Sequence, residues 1–127
     1  MSPHILLVED DPVARTILEL LFKRTPYELD FAEDGQVAIE MWQQGRYDLV
    51  LMDIQMPRLN GFEATRAIRE MERKRGDHTP IVAMTAHTCK DDIECCSAAG
   101  MDAYISKPVD FTSCLKTIER IITLKCD

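Results

Sequence analysis

Two hydrophobic patterns alternate along these 127 residues. Short, nearly continuous apolar runs read as strands buried on both faces. These are Ile5-Leu6-Leu7-Val8, Tyr47-Asp48-Leu49-Val50-Leu51-Met52-Asp53, Ile81-Val82-Ala83-Met84 and Ala103-Tyr104-Ile105-Ser106. A fifth run, Tyr27-Glu28-Leu29-Asp30-Phe31-Ala32, alternates apolar and polar residues, as an edge strand does. Between the runs the apolar period lengthens to that of a helix. The first strand, about 4–9, leads to Asp11 as an N-cap and Pro12 as first helical residue. That helix shows Val13, Ile17, Leu20 and Leu21 on one face and ends before Pro26. The second follows Asp34-Gly35, buries Val37, Ala38, Met41 and Trp42, and stops at Gly45. The third runs from about Phe62 to Arg75, with Arg73, Lys74 and Arg75 at the negative end of its dipole. The fourth covers roughly Lys90 to Ala99, and the fifth about Phe111 to Leu124, with Leu115, Ile118 and Ile122 facing the core. Strand–helix alternation with short connections predicts an α/β fold, a doubly wound five-stranded parallel sheet with helices on both faces.

Four of the strands each end on a polar group. Glu9 and Asp10 close the first, Asp53 the third, Thr85 the fourth and Lys107 the fifth. In an open α/β sheet, ligands bind outside those carboxyl ends. Singly, each residue has a plainer explanation: an Asp there is usually a cap or turn former, as Asp11 is, and a Lys before proline is usually solvated. Four such groups ending four strands on one side is a poor coincidence. Like charges ~4 Å apart cost roughly 4 kcal/mol per pair at an effective dielectric near 20. Three clustered carboxylates therefore call for separation, protons or a cation. Hard oxygen ligands in a partly hydrated pocket suit Mg²⁺. A carboxylate can attack phosphorus to form an aspartyl phosphate, while Lys107 offers a point charge and Thr85 a hydroxyl to phosphoryl oxygens.

Composition narrows the field further. One domain spanning 1–127 is expected, with no linker, repeat or second domain. The net charge of -7, from 22 acidic against 15 basic residues, argues against a nucleic-acid surface. No apolar stretch approaches the ~20 residues of a membrane span, and no secretory signal precedes the first strand. The five cysteines, Cys89, Cys95, Cys96, Cys114 and Cys126, contain no C-x-x-C pair and read as ordinary residues of a reducing compartment. A cytoplasmic location is expected.

The segments Leu7-Val8-Glu9-Asp10-Asp11, Leu51-Met52-Asp53-Ile54-Gln55-Met56-Pro57, Asn60-Gly61, Met84-Thr85-Ala86 and Tyr104-Ile105-Ser106-Lys107-Pro108 together resemble a response regulator receiver domain over essentially the whole chain. Gly61-Phe62-Glu63-Ala64 and Gly100-Met101-Asp102-Ala103-Tyr104 are most similar to receivers of hybrid histidine kinases and phosphorelays. The resemblance implies the flavodoxin-like strand order 2-1-3-4-5. It makes Asp53 the phosphoacceptor, supplied by a histidine kinase or a histidine phosphotransfer protein. It assigns Mg²⁺ to Asp10, Asp53 and the backbone carbonyl of Gln55, with Glu9 acting largely through water. Thr85 and Lys107 would bind the phosphoryl oxygens. Thr85 and Tyr104 would form the switch, changing the helix 4–strand 5–helix 5 surface, through which a homodimer could form. Gln55 and His87 would tune phosphoryl lifetime. Asn60 stands where the family often has Asp, and Ala14 where relatives often carry Asn. Such a domain is an autocatalytic, self-dephosphorylating phosphoacceptor of two-component signalling rather than a turnover enzyme. An aspartate phosphatase would want an acid where Gln55 stands, and a flavin carrier would want a Ser/Thr/Gly-rich loop where Glu9-Asp10-Asp11-Pro12 stands. A scaffold that no longer takes phosphate would not need the full set of acids, Thr85 and Lys107.

Overall fold

β-Branched and other apolar side chains fill the first four positions of two five-residue strands, so those strands can only sit inside a sheet covered on both faces. In the computed structural model they are β3 (Leu49–Asp53) and β4 (Ile81–Thr85), every residue of each buried. The structure describes residues 3–54, 60–85, 90–106 and 110–126, with side chains left out at 90–92 and 124–126. The remaining elements are β1 (His4–Val8), α1 (Pro12–Phe22), β2 (Glu28–Ala32), α2 (Gly35–Gln44), α3 (Gly61–Arg75), α4 (Lys90–Ala99), β5 (Ala103–Ser106) and α5 (Phe111–Cys126). All strand pairs are parallel, in the order β2-β1-β3-β4-β5. The alternating strand β2 is indeed at an edge. Gln55, His87, Lys107 and Cys89 lie outside the described residues.

Period-two alternation divides the core. Leu6, Val8, Val50, Met52, Ile81 and Ala83 face α2, α3 and α4 through Ala38, Trp42, Ala64, Ile68 and Cys96. Ile5, Leu7, Leu49, Leu51, Val82 and Met84 face α1 and α5 through Leu18, Phe22, Cys114 and Ile118. The cap read from the sequence is present, with Asp11 accepting from Val13 N–H (3.0 Å), and Asp34 caps α2 in the same way by accepting from Val37 N–H (2.9 Å).

Helix α1 corrects one expectation. Its Val13, Ile17 and Leu20 are 64, 53 and 58% exposed, while Leu18 and Phe22 are buried. The helix carries two neighbouring apolar stripes, and the one holding the aromatic anchor wins. Phe22 meets Tyr27 and Phe111 edge-on, with centroids 6.3 and 5.1 Å away. On α5, Ile118 is buried, and Cys114 joins it in the core while Leu115 and Ile122 are only partly covered. Burial pushes the Cys114 thiol up to about 11.

The amino ends of the strands are tied by polar groups. Asp30 accepts from Tyr47 hydroxyl (2.9 Å) and lies 3.0 Å from His4 Nε2. Burial first, and Asp30 second, push Tyr47 up to about 12. Farther along, Arg69 of α3 donates from Nε to Gly100 carbonyl (2.9 Å), from one terminal nitrogen to Thr79 carbonyl (2.8 Å) and Glu72 (2.6 Å), and from the other to Asp102 (2.8 Å). Gly100 has φ 101°, a conformation that favours glycine, and a Cβ there would stand 3.0 Å from Arg69 Cγ. Buried Glu72 also accepts from Thr79 N–H, and Thr79 Oγ1 accepts from Trp42 Nε1 (3.0 Å). None of this network was visible as a motif.

Candidate functional site

The strand order reverses between β1 and β3, because β1 connects outward to β2 and β2 returns past it to β3. A crevice opens at the carboxyl ends of strands flanking such a reversal. Glu9 and Asp10 follow β1 directly, and Asp53 ends β3. Each offers one carboxylate oxygen, and all three oxygens lie within 4.8 Å of one another. Glu9 and Asp53 are 2% exposed, while Asp10 lies at the open rim. Glu9 also accepts weakly from Asp11 N–H (3.3 Å), and its own N–H donates to Ala32 carbonyl (3.0 Å). Its main chain is thus pinned to the sheet while one carboxylate oxygen leans towards the start of α1.

Asp53 pairs in register with Met84, placing Thr85 one residue farther along the neighbouring strand. Thr85 is 3% exposed and pairs with Ser106, the residue before Lys107. Tyr104, two residues earlier on β5, is 43% exposed. The structure therefore brings Glu9, Asp10 and Asp53 together, with Thr85 ending the adjacent strand. The expected roles of Gln55, His87 and Lys107 fall outside the described residues.

The family described as the response regulator receiver domain matches residues 5–119. The chain belongs to that family. Among relatives of this receiver is hybrid signal transduction histidine kinase B of Dictyostelium discoideum, 43% identical over 114 residues, covering 83% of this chain and 6% of the kinase. Probable histidine kinase 2 of Oryza sativa is 38% identical over 121 residues, covering 84% of this chain and 12% of the relative. This receiver thus spans only a small part of the curated kinases it matches. Among solved structures it resembles the receiver domain of a Pseudomonas aeruginosa sensor histidine kinase, which holds a magnesium ion in its active-site cleft (TM-score 0.87, 37% identity, 97% of this chain and 99% of that one). It also resembles the receiver domain of a Saccharomyces cerevisiae response regulator crystallised with a histidine phosphotransfer protein (TM-score 0.92, 29% identity, 98% of this chain and 91% of that one).

The donor set of this receiver fits a small hard cation. In an octahedral shell with bonds near 2.1 Å, opposite oxygens stand about 4.2 Å apart. A spread of at most 4.8 Å admits direct ligation by some carboxylates and a bridging water for another. No helix among the described residues is long and apolar enough to cross a membrane. The contact between Gly61 and the Asp53 main chain is set by tertiary packing and carries no signal in the sequence, and neither does the exposure of Val13, Ile17 and Leu20 on α1.

Proposed function

We propose that this receiver domain is the phosphoacceptor of a two-component or phosphorelay system, with Asp53 as the acceptor. The observation carrying this is the meeting of three carboxylate oxygens at the switch point of the sheet, one of them ending the central strand beside Thr85. A carboxylate oxygen of Asp53 attacks the phosphorus of a phosphohistidine. The P–N bond breaks, and the released imidazole keeps its electron pair and takes a proton. Bound Mg²⁺ would supply charge neutralisation for the phosphoryl oxygens, held by Asp10 and Asp53 with Glu9 through water. The Thr85 hydroxyl donates to a phosphoryl oxygen, and by resemblance Lys107 and the Gln55 carbonyl complete the site, with Gln55 and His87 at its rim. The chain's chemistry is self-limited transfer and hydrolysis rather than turnover of a separate substrate.

Drawing Thr85 towards the phosphoryl group frees volume for the Tyr104 ring, now exposed, and so reshapes the α4–β5–α5 face. That face would receive an output partner or a second copy of the chain. The donor would be a histidine kinase or histidine phosphotransfer protein. Helix α1 starts immediately after the acidic pair, so its exposed Val13, Ile17 and Leu20 lie beside the site, where a helical donor could rest.

Acetyl phosphate with Mg²⁺ should add one phosphoryl group by mass, and Asp53→Asn should remove that addition. Full labelling of Asp53→Asn would overturn the assignment. Ile17→Glu should leave acetyl phosphate labelling unchanged while slowing transfer from a phosphorylated histidine phosphotransfer protein about tenfold. Equal transfer would move the donor away from α1.

A further inference from the structure

The connection from β3 to α3 carries residues 55–59, including Gln55, and a main-chain bond between described residues closes its base. Gly61 N–H donates to Ile54 carbonyl at 3.1 Å. The first turn of α3 is held at that base from within. The Asn60 side chain accepts from Glu63 N–H (2.9 Å), and the Glu63 carboxylate accepts from Asn60 N–H (3.3 Å). Thr65, fully buried, donates its hydroxyl to Gly61 carbonyl at 2.7 Å.

Gly61 lies directly against the end of the acceptor strand. A Cβ there would stand 2.5 Å from the Asp53 carbonyl oxygen, 2.9 Å from Ile54 Cα and 3.1 Å from Met52 Cγ. Two of those three atoms are main chain and cannot rotate aside. Conformation is not what selects glycine, because the glycines of positive φ among the described residues are Gly76 and Gly100. Space is the requirement.

We infer that Gly61 is a positioning residue for the phosphoryl site, its bare Cα seating the helix start against the Asp53 main chain and fixing where that carboxylate stands relative to Glu9 and Asp10. The inference rests on the reading of Asp53 as acceptor. Relieving a 2.5 Å approach to ordinary contact requires a displacement of about 1 Å, and a misplacement of that size can cost on the order of 10²-fold in rate. The effect passes through main chain, so it reaches the metal-binding carboxylates as well as the nucleophile.

The test compares Gly61→Ala with Ala67→Gly, a half-buried position in the middle of α3 that weakens the helix without adding an atom near Asp53. Gly61→Ala should bind Mg²⁺ at least tenfold more weakly by calorimetry. It should also label from acetyl phosphate ten- to hundredfold more slowly at saturating donor. Ala67→Gly should match wild type in both while melting at a lower temperature. Should Gly61→Ala fail to fold, Thr65→Val, which withdraws the hydroxyl from Gly61 carbonyl, should weaken Mg²⁺ binding severalfold, and Thr65→Ser should restore it. Wild-type Mg²⁺ affinity and labelling in Gly61→Ala would overturn the inference. So would equal losses in Gly61→Ala and Ala67→Gly. Absence of labelling in the wild type would instead sink the acceptor reading. The metal-free amide shifts of Gly61→Ala still decide the positioning: changes at residues 9, 10, 53 and 54 uphold it, and their absence overturns it.

Discussion

Asp10→Asn should make the metal-free receiver more stable and the Mg²⁺-loaded one less so. The three carboxylate oxygens lie within 4.8 Å of one another. At that separation a pair of unit charges repels by about 3 kcal/mol at an effective dielectric near 20, and by about 1 kcal/mol in bulk water. Asp10 stands at the rim, where solvent screens it, and it faces two partners. Removing its charge should therefore return about 1–3 kcal/mol, roughly 3–10 °C in melting temperature for a domain of this size. The gain should shrink in high salt, as the screening length contracts. Mg²⁺ reverses the order at high occupancy, because a ligand at 1,000 times its Kd adds about 4.1 kcal/mol to the folded state, while one at its Kd adds only about 0.4 kcal/mol. Urea melts in EDTA and in excess Mg²⁺, at low and high salt, give all four values. An Asp10→Asn protein less stable than wild type in EDTA would refute the reasoning, since the carboxylates would then not be repelling one another.

Alkaline pH should drain stability over two overlapping windows. Cys114 and Tyr47 are neutral when protonated and hold their protons to about 11 and about 12, so stability is intact below the ordinary values of 9.0 and 10.0 and drains as pH rises through the folded ones. Cys114→Ala should flatten the loss between pH 9 and 11 and Tyr47→Phe that above pH 10, in denaturant melts across pH; unchanged slopes would contradict both burials. Arg69→Leu should cost about 3–5 kcal/mol in urea, because it strands the buried Glu72 carboxylate; a loss below about 1 kcal/mol would show the network to be ornamental. Thr85→Ala should still accept phosphate yet show little of the wild-type amide shift change across residues 87–106 on adding beryllofluoride. Undiminished shifts would route the signal past that hydroxyl.

Strands buried on both faces declare themselves, since every side chain of β3 and β4 must be apolar until the chain reaches the edge and turns polar. That is why Asp53 and Thr85 were readable in the sequence, together with Glu9 and Asp10. The alternating β2 was legible as an edge for the complementary reason. Helix α1 was harder, because two apolar stripes compete and only the packing of Phe22 against Tyr27 and Phe111 decides between them. On α5 a cysteine occupies the core position beside Ile118, where the pattern favoured Leu115. Arg69 meets Gly100 and Asp102, 31 and 33 residues away, and no local period carries that information. The closeness of Gly61 to the Asp53 carbonyl is likewise a product of docking α3 on the sheet.

Arg69 also bears on the geometry of signalling. It clamps Gly100 and Asp102, the two ends of the short turn entering β5, to α3 and to the start of β4. Asp102 adds a second tether, exchanging main-chain and side-chain bonds with Ile81 at 2.8 Å. Strand β5 is thus fastened by side chains at the end remote from the acidic cluster, while its ladder with β4 runs from Ala103 to Ser106. A strand fixed in this way behaves as a cantilever: it can bend about its root but cannot slide along its neighbour. Displacement at Tyr104 should accordingly be a swing whose amplitude grows towards the phosphoryl end. Loosening the root by removing Arg69 would turn a directed deflection into undirected motion.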